Sequence, residues 1–120
     1  MKKLHAISKK KLEKSLPFLK LLSRVSDEDR VILIQHLNKD TCDVVCQCVH
    51  NTIKNPNILA NDRQAISQKI GSKKDIIRYL SDASRPVHVR QKKLSQLGGN
   101  PLGLILSVAI PLLIDFLFKK

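Results

Sequence analysis

The amino-acid sequence predicts an all-α protein, a small bundle of five to six short helices plus a C-terminal apolar helix. The first observation is composition: Leu, Ile and Val dominate an apolar fraction of 42%, whereas aromatic residues account for only 3%. A β-sandwich or barrel is usually richer in aromatic and β-branched residues. The second is periodicity, because apolar residues recur at helical spacing between helix start and stop signals. With 120 residues, the chain has room for one small core.

Residues 1–25 are predicted to form a basic N-terminal helix. Pro17 either kinks this helix or starts a second short one. The segment contains eight Lys or Arg residues and a single Glu, so its solvent side carries a strong positive charge. Its apolar face consists of Leu12, Leu16, Leu19 and Leu22.

Residues 26–97 are predicted to form the body of the bundle, beginning with two capped helices. Ser26 precedes three acidic residues, which the helix dipole favours in a first turn, and Asn38 ends this helix. Asp40 or Thr41 is expected to cap the next helix, which ends before a proline. The apolar face of that second helix consists of Cys42, Val45, Cys46, Val49 and Ile53.

Three further helices complete the body of the bundle. Asn61 is expected to cap a short helix that ends at Ile70, and Gly71 follows where a left-handed residue is favoured. Residues 72–75 resemble a capping box and open the next helix. Pro86 suits the first turn of the last one.

Residues 61–82 have the pattern of a helix-turn-helix. The small residue Ser67 would lie where the two helices approach each other, and Gly71 would make the turn. Any tight helical hairpin with glycine at its turn has the same pattern, and non-specific phosphate contact is the simpler alternative. The side chains expected to project toward phosphates are Lys73, Lys74 and Arg78.

The formal net charge of +12 indicates a polyanionic partner, either nucleic acid or an anionic membrane surface. Residues 1–25 and 63–99 each carry a net charge of +7 and flank an acidic middle. A solvated surface is the ordinary use of such a charge run, but few acids are interleaved here. Because aromatic residues are not interleaved either, duplex DNA bound with low specificity is favoured over single strands. The candidate phosphate-binding residues are Lys9, Lys10, Lys11, Lys14, Lys73, Lys74, Arg78, Arg85, Arg90, Lys92 and Lys93.

The sequence contains no Gly-rich phosphate loop, HExxH, GxSxG or paired CxxC motif, so we expect no enzymatic activity and no cofactor. Cys42, Cys46 and Cys48 crowd into one short segment, which argues against a disulfide framework and for a reducing, intracellular compartment. With His50 they suggest a zinc site, but tetrahedral zinc needs ligands from two elements. We therefore expect core cysteines and no metal.

The C-terminal segment, residues 101–118, contains Asp115 as its one charged residue. Its length is at the lower limit of a membrane span, and Pro111 interrupts it. The alternatives are a membrane-active helix that inserts part-way and a core helix that packs on the bundle. We expect the core helix, because a carboxylate deep in a bilayer is costly. The tail residues expected to face core or membrane are Leu104, Ile105, Leu106, Ile110, Leu113, Ile114 and Phe116.

A basic stretch, a glycine pair and an apolar tail follow one another in residues 90–105, RQKKLSQLGGNPLGLI. Over about residues 38–110 the chain resembles small proteins encoded by Maverick/Polinton elements and adintoviruses. Its last thirty or so residues also resemble the adenovirus core-protein precursor called mu. The resemblance implies a virion or core component that contacts packaged DNA in the host nucleus or virion, with a tail that is removed or used on membranes.

Residues 98–100 form a joint before the tail, and Gly98 and Gly99 are a candidate processing site. In the adenovirus family, a viral cysteine protease cuts after Gly-Gly when an aliphatic residue lies two places before the glycines. Here that place holds Gln96, with Leu97 one place closer, so the chain departs from this pattern. The sequence thus predicts a basic DNA-associated protein. A membrane-associated or membrane-active protein is the alternative, and a second copy of the chain is a further candidate partner.

Overall fold

The computed structural model describes residues 9–54, 59–71, 73–80, 82, 85–97 and 100–118. This part of the chain is all-α, as predicted, with seven helices and no strand. Within it, the radius of gyration is 13.1 Å, as expected for one compact domain of this length. The helices are α1 (Lys9–Arg24), α2 (Asp27–Ile34), α3 (Lys39–Lys54), α4 (Ala60–Ile70), α5 (Lys74–Leu80), α6 (Val87–Leu97) and α7 (Asn100–Phe118).

Helix α1 runs without interruption through Pro17, so the proline does not start a second helix. Pro17 is exposed, and the carbonyl that loses its N–H partner therefore lies on the side of the helix that water reaches. The opposite side carries the four predicted leucines, all of them buried. The amphipathic pattern of the segment therefore outweighs the local effect of the proline.

Of the predicted capping residues, the one of α2 is confirmed and the one of α3 is different in the structure. Ser26 caps α2 as predicted, because its Oγ accepts a hydrogen bond of 3.1 Å from the N–H of Asp29. Helix α3 is capped by Asn38, whose Oδ1 accepts from the N–H of Thr41 at 2.8 Å, and not by Asp40 or Thr41. Asn38 also accepts the first helical hydrogen bond of α3 through its carbonyl, so it begins this helix instead of ending α2.

Helix α4 begins at a different residue from the predicted one and ends where the sequence predicts. Leu59 is its N-cap residue and makes no side-chain capping hydrogen bond, so Asn61 lies inside the first turn and is not the cap. Gly71 follows the last residue with φ +52°, which confirms the predicted positive-φ position. Its N–H donates to the Ser67 carbonyl at 3.0 Å.

Helices α3 and α7 form the centre of the core. The predicted face of α3 is buried apart from the half-buried Ile53, and Val44 and Cys48 on its other sides are buried as well. Helix α7 packs against α1, α3 and α4, and Leu102 and Ile105 have no exposed surface. The prediction that the apolar tail packs on the bundle as a helix is therefore confirmed.

Candidate polyanion-binding surface

Helices α5 and α6 pack against each other in opposite directions. Lys73, just before α5, donates a hydrogen bond of 2.9 Å from its Nζ to the carbonyl of Gln96 near the end of α6. At the other end of the pair, the guanidinium of Arg85, just before α6, lies 4.7 Å from the ring centre of Tyr79 in α5. Both helices also pack on α3. Helices α5 and α6, with Lys73 and Arg85 just before them, therefore form one packed pair with a shared solvent side.

This helix pair and the residues just before its helices carry six of the predicted phosphate-binding residues, which we call the α5–α6 surface. Five of their side chains are exposed and that of Lys93 is half-buried. The acids in the same part of the chain are Asp75 and Asp82. Because cations outnumber acids, the surface remains strongly positive. The members of the α5–α6 surface are Lys73, Lys74, Arg78, Arg85, Lys92 and Lys93.

Tyr79 holds two of these cations in place and was not identified in the sequence analysis. Its half-buried ring lies 4.7 Å from the Arg85 guanidinium and 5.5 Å from Nζ of Lys93. Both distances are within the range of cation–π attraction. Tyr79 is the only tyrosine of the chain and follows Arg78 directly, which was the available sequence signal.

Asp82 also interacts with Arg85. Its carboxylate is buried, and Oδ2 lies 3.4 Å from Nε of Arg85. A buried carboxylate beside a guanidinium limits the rotamers of that side chain. Arg85 is consequently held between a carboxylate and the Tyr79 ring, while its outer side stays exposed.

Arg90 was predicted to contact phosphates, and the structure shows that this is wrong. It has no exposed surface, and its Nη1 lies 2.7 Å from Oδ1 of Asp43 in α3. Arg90 shares the buried face of α6 with Leu94 and Leu97 at helical spacing, so the periodicity of α6 places it inside. Burial alone would lower the pKa of Arg90, but the Asp43 carboxylate and the nearby thiols raise it, so Arg90 stays charged.

The basic residues of α1 form a second group on a separate element. Lys9, Lys10 and Lys14 are exposed. Lys11 is half-buried, and its Nζ lies 3.3 Å from a carboxylate oxygen of Asp40 and 3.6 Å from one of Asp43. The charge of Lys11 is therefore balanced within the protein, which corrects its assignment as a phosphate contact. Helix α1 packs against α7, α3 and α2.

Helices α4 and α5 are not arranged as the helix-turn-helix pattern predicted. Helix α4 packs mainly against α7, whereas α5 packs against α6 and α3. Ser67, expected where the two helices approach, is exposed. The apolar residues of both helices are buried, but they contribute to the common core and do not form a separate two-helix unit.

The three cysteines lie in the core, as predicted. All are buried and none is in a disulfide. Burial raises the pKa of Cys48 to about 12, and a hydrogen bond with Cys42 together with burial raises that of Cys46 well above its ordinary value. The same hydrogen bond lowers the pKa of Cys42. Among the described residues, no group of three or more His, Cys, Asp or Glu side chains is arranged to hold a metal ion.

The predicted tail residues of α7 differ in how far they are buried. Ile105 and Leu106 are fully buried, while Leu104, Ile110, Leu113 and Ile114 are half-buried against the core. The side chain of Phe116 and the candidate processing site at Gly98 and Gly99 lie outside what the structure describes. Within the described ranges, no single helix is long and apolar enough to cross a membrane. Helix α6 and residues Pro101–Asp115 together have the length and composition of a membrane span, but a bend of 100° separates them.

Comparisons with protein-family models, with curated proteins and with solved structures give no match for this chain. The candidate surface is consequently defined by its own geometry and charge. The resemblance to element-encoded and adenoviral core proteins stays a prediction from sequence.

Proposed function

We propose that this protein is a basic, non-enzymatic nucleic-acid-binding protein that contacts the phosphates of duplex DNA through the α5–α6 surface. The observation that carries the proposal is the presence of six basic side chains, five of them exposed, on two antiparallel helices and on the residues just before them. Phosphate neutralisation by such a group releases counterions, which drives binding without base recognition.

Phosphate contact is favoured over base reading because of how α5 is held. This helix has seven residues and packs on both α6 and α3, so little of it is free to enter a major groove. Within the described residues, α4 and α5 also lack the close mutual packing that positions a recognition helix. Contacts from lysine and arginine to phosphates position a protein on DNA but carry no sequence information.

A duplex is favoured over a single strand because the ring of Tyr79 is not available for stacking on bases. Single-strand binding uses exposed aromatic rings on which bases stack. Tyr79 is half-buried and interacts with Arg85 and Lys93, so its ring already has partners. The resemblance noted above adds a biological setting to the proposal, namely a virion or core protein of a DNA virus or virus-derived transposon, acting in the host nucleus or virion.

Salt-dependent binding tests the proposal. Affinity for a labelled duplex, measured by fluorescence anisotropy over a series of salt concentrations, should fall by roughly 0.9 log units per log unit of salt for each phosphate contacted. The variant Lys74→Ala/Arg78→Ala/Lys92→Ala removes three exposed cations of the α5–α6 surface. The slope should then become shallower by about 2.7.

The matched control is Arg24→Ala/Lys54→Ala/Lys69→Ala, which removes the same charge from exposed positions on α1, α3 and α4. We expect its slope to stay close to that of the unmodified chain. Equal slopes for the two triple variants would show that net charge acts without a defined surface. Binding that does not depend on salt would contradict phosphate contact altogether.

A further inference from the structure

The C-terminal end of α7 leaves apolar side chains uncovered. Leu112 is 39% exposed and Phe118 is 66% exposed, whereas Leu102 and Ile105 near the start of the same helix are fully buried. Pro111 is exposed beside Leu112. The protein therefore buries most apolar side chains in the first half of α7 and exposes Leu112 and Phe118 in the second half, where Leu117 is still buried.

The N-terminal end of α1 lies beside this end of α7. Arg30 donates from Nε to the carbonyl of Leu22, near the end of α1, at 2.7 Å. The same guanidinium lies directly against Gly103, near the start of α7. The end of α1 therefore meets the start of α7. Since the two helices also pack side by side, they must run in opposite directions.

The rise of an α-helix gives the relative heights of the side chains. Measured from the point where the two helices meet, Lys14 and Lys10 lie about 12 and 18 Å along α1, while Leu112 and Phe118 lie about 14 and 22 Å along α7. Both lysines are exposed. Exposed lysines and exposed apolar side chains thus occupy the same end of the molecule.

We propose that this end, the α1–α7 tip formed by Lys9, Lys10, Lys14, Pro111, Leu112 and Phe118, docks on an anionic lipid bilayer while the fold stays intact. Apolar side chains at an exposed tip enter the boundary between headgroups and acyl chains. Lysines beside them attract anionic headgroups. The α1–α7 tip supplies both contributions at one end of the α1–α7 pair, from residues that are not part of the α5–α6 surface.

The geometry limits the depth of this contact. Asp115 is exposed between Leu112 and Phe118 in the chain, and a carboxylate is costly below the headgroup region. Leu102, Ile105 and Leu106 in the first half of α7 are fully buried and are not available to the bilayer. The proposed docking is therefore shallow and does not require release of α7.

A lipid surface fits the α1–α7 tip better than a second copy of the chain. Symmetric pairing of two tips would place the lysines of one copy beside those of the other, because the same patch faces itself in a two-fold dimer. Like charges at a contact are unfavourable. An anionic bilayer neutralises these charges while it covers the apolar side chains.

Vesicle co-sedimentation of the full chain tests this inference. The full chain should bind vesicles of equal parts phosphatidylcholine and phosphatidylserine and bind pure phosphatidylcholine vesicles far more weakly. The variant Leu112→Ser/Phe118→Ser should reduce binding to the mixed vesicles by about tenfold or more, because both side chains lose their insertion energy. Lys10→Ala and Lys14→Ala should each reduce it by about fivefold. Asp115→Asn should strengthen it.

Two control variants keep the test specific. Leu21→Ser/Ile32→Ser removes two apolar side chains that are 46% and 54% exposed at the opposite end of α1 and on α2, and it should bind vesicles normally. Lys74→Ala/Arg78→Ala/Lys92→Ala should weaken duplex binding and make it less dependent on salt, while it keeps most vesicle binding. Vesicle binding that survives the tip substitutions, or that disappears only with the α5–α6 substitutions, would overturn the inference. The inference would also be overturned if the tip substitutions lowered only the oligomeric mass of the protein, because a second copy of the chain would then cover the tip.

Discussion

The guanidinium of Arg30 lies directly against the Cα of Gly103, so closely that a Cβ at residue 103 would come within 2.8 Å of Cζ. The same guanidinium donates to the carbonyls of Leu22 at 2.7 Å and Val25 at 2.8 Å, and it pairs with Asp27 at 2.7 Å. Arg30 thereby satisfies carbonyls at the end of α1 that have no helical partner. This buried side chain connects the end of α1, the start of α2 and the start of α7.

Gly103→Ala should destabilise the protein although alanine is the better helix former. In an open helix the exchange would gain up to about 1 kcal/mol, but here the new methyl group collides with a guanidinium held by several hydrogen bonds. We expect a net loss of about 1–3 kcal/mol in the free energy of unfolding, measured by urea denaturation. In an Arg30→Ala background the same exchange should be neutral or stabilising. An equal loss in both backgrounds would contradict the contact.

Asp43→Asn should be strongly destabilising. The exchange leaves the Arg90 guanidinium, which has no exposed surface, without its counter-charge. Breaking a buried ion pair from one side costs about 3–5 kcal/mol, whereas Asp43→Leu/Arg90→Met should recover much of that loss. Asp40→Asn is the control, since Asp40 is 77% exposed and its pair with Lys11 should contribute less than about 1 kcal/mol. Similar losses for Asp40→Asn and Asp43→Asn would be inconsistent with this account.

Stability should fall at alkaline pH in a way that depends on Cys48. Its pKa is raised from 9.0 to about 12 by burial, so the unfolded chain releases this proton at a lower pH than the folded one. The stabilisation is complete below pH 9 and declines as the pH approaches 12, by about 1.4 kcal/mol per pH unit for one thiol. In denaturation experiments over this pH range, Cys48→Ala should make the decline in the free energy of unfolding shallower by about 1.4 kcal/mol per pH unit. The lysines contribute equally in both proteins and do not affect this difference. Identical slopes would mean that the thiol ionises equally in both states.

Substitutions along α7 should separate its two halves. Ile105→Ala removes fully buried methyl groups and should cost about 2–5 kcal/mol. Leu112→Ala, at a side chain that is 39% exposed, should cost less than about 1 kcal/mol. Thermal unfolding of both variants in the absence of lipid measures the contrast. If Ile105→Ala were as harmless as Leu112→Ala, the start of α7 would not be part of the core.

Deletion of residues 100–120 should expose the faces of α1, α3 and α4 on which α7 packs. Covering a large aliphatic side chain is worth about 1.5–3 kcal/mol, and several are uncovered at once. The loss is comparable to the whole stability of a small domain. We expect the shortened chain to aggregate or to lose its cooperative unfolding transition, which size-exclusion chromatography and calorimetry would detect. A shortened chain as stable and soluble as the full one would show that α7 is dispensable for the core.

Much of the helical architecture could be predicted because it depends on near neighbours in the chain. The leucines of α1 and the cysteine face of α3 are buried as their spacing predicted, and Ser26 and Gly71 have the predicted cap and positive φ. Helix periodicity and caps involve contacts within one or two turns, so the residues that decide them are adjacent in the sequence. The start of α3 was missed because Asn38, Asp40 and Thr41 are all competent capping residues within one turn.

The candidate site could be predicted only in part. Lys74 and Lys92 are exposed as expected, but a basic run in a sequence does not by itself distinguish exposed cations from buried ones. Arg90 is four residues before Leu94 on the buried face of α6, and this spacing could have separated it from Lys92. Nothing local indicated that Asp43 would lie opposite Arg90, since the two residues belong to helices far apart in the chain.

The sequence by itself determined that this protein is helical, strongly basic and closed by an apolar helix, because composition and periodicity act through local contacts. Only the tertiary structure decided which cations face the solvent, which of them are neutralised by Asp43, and that α5 packs with α6 rather than α4. It also decided that α1 packs against α7 and that Leu112 and Phe118 stay exposed. These outcomes depend on which helices pack together. That choice is made by the burial of apolar faces from the whole chain at once, which no local pattern encodes.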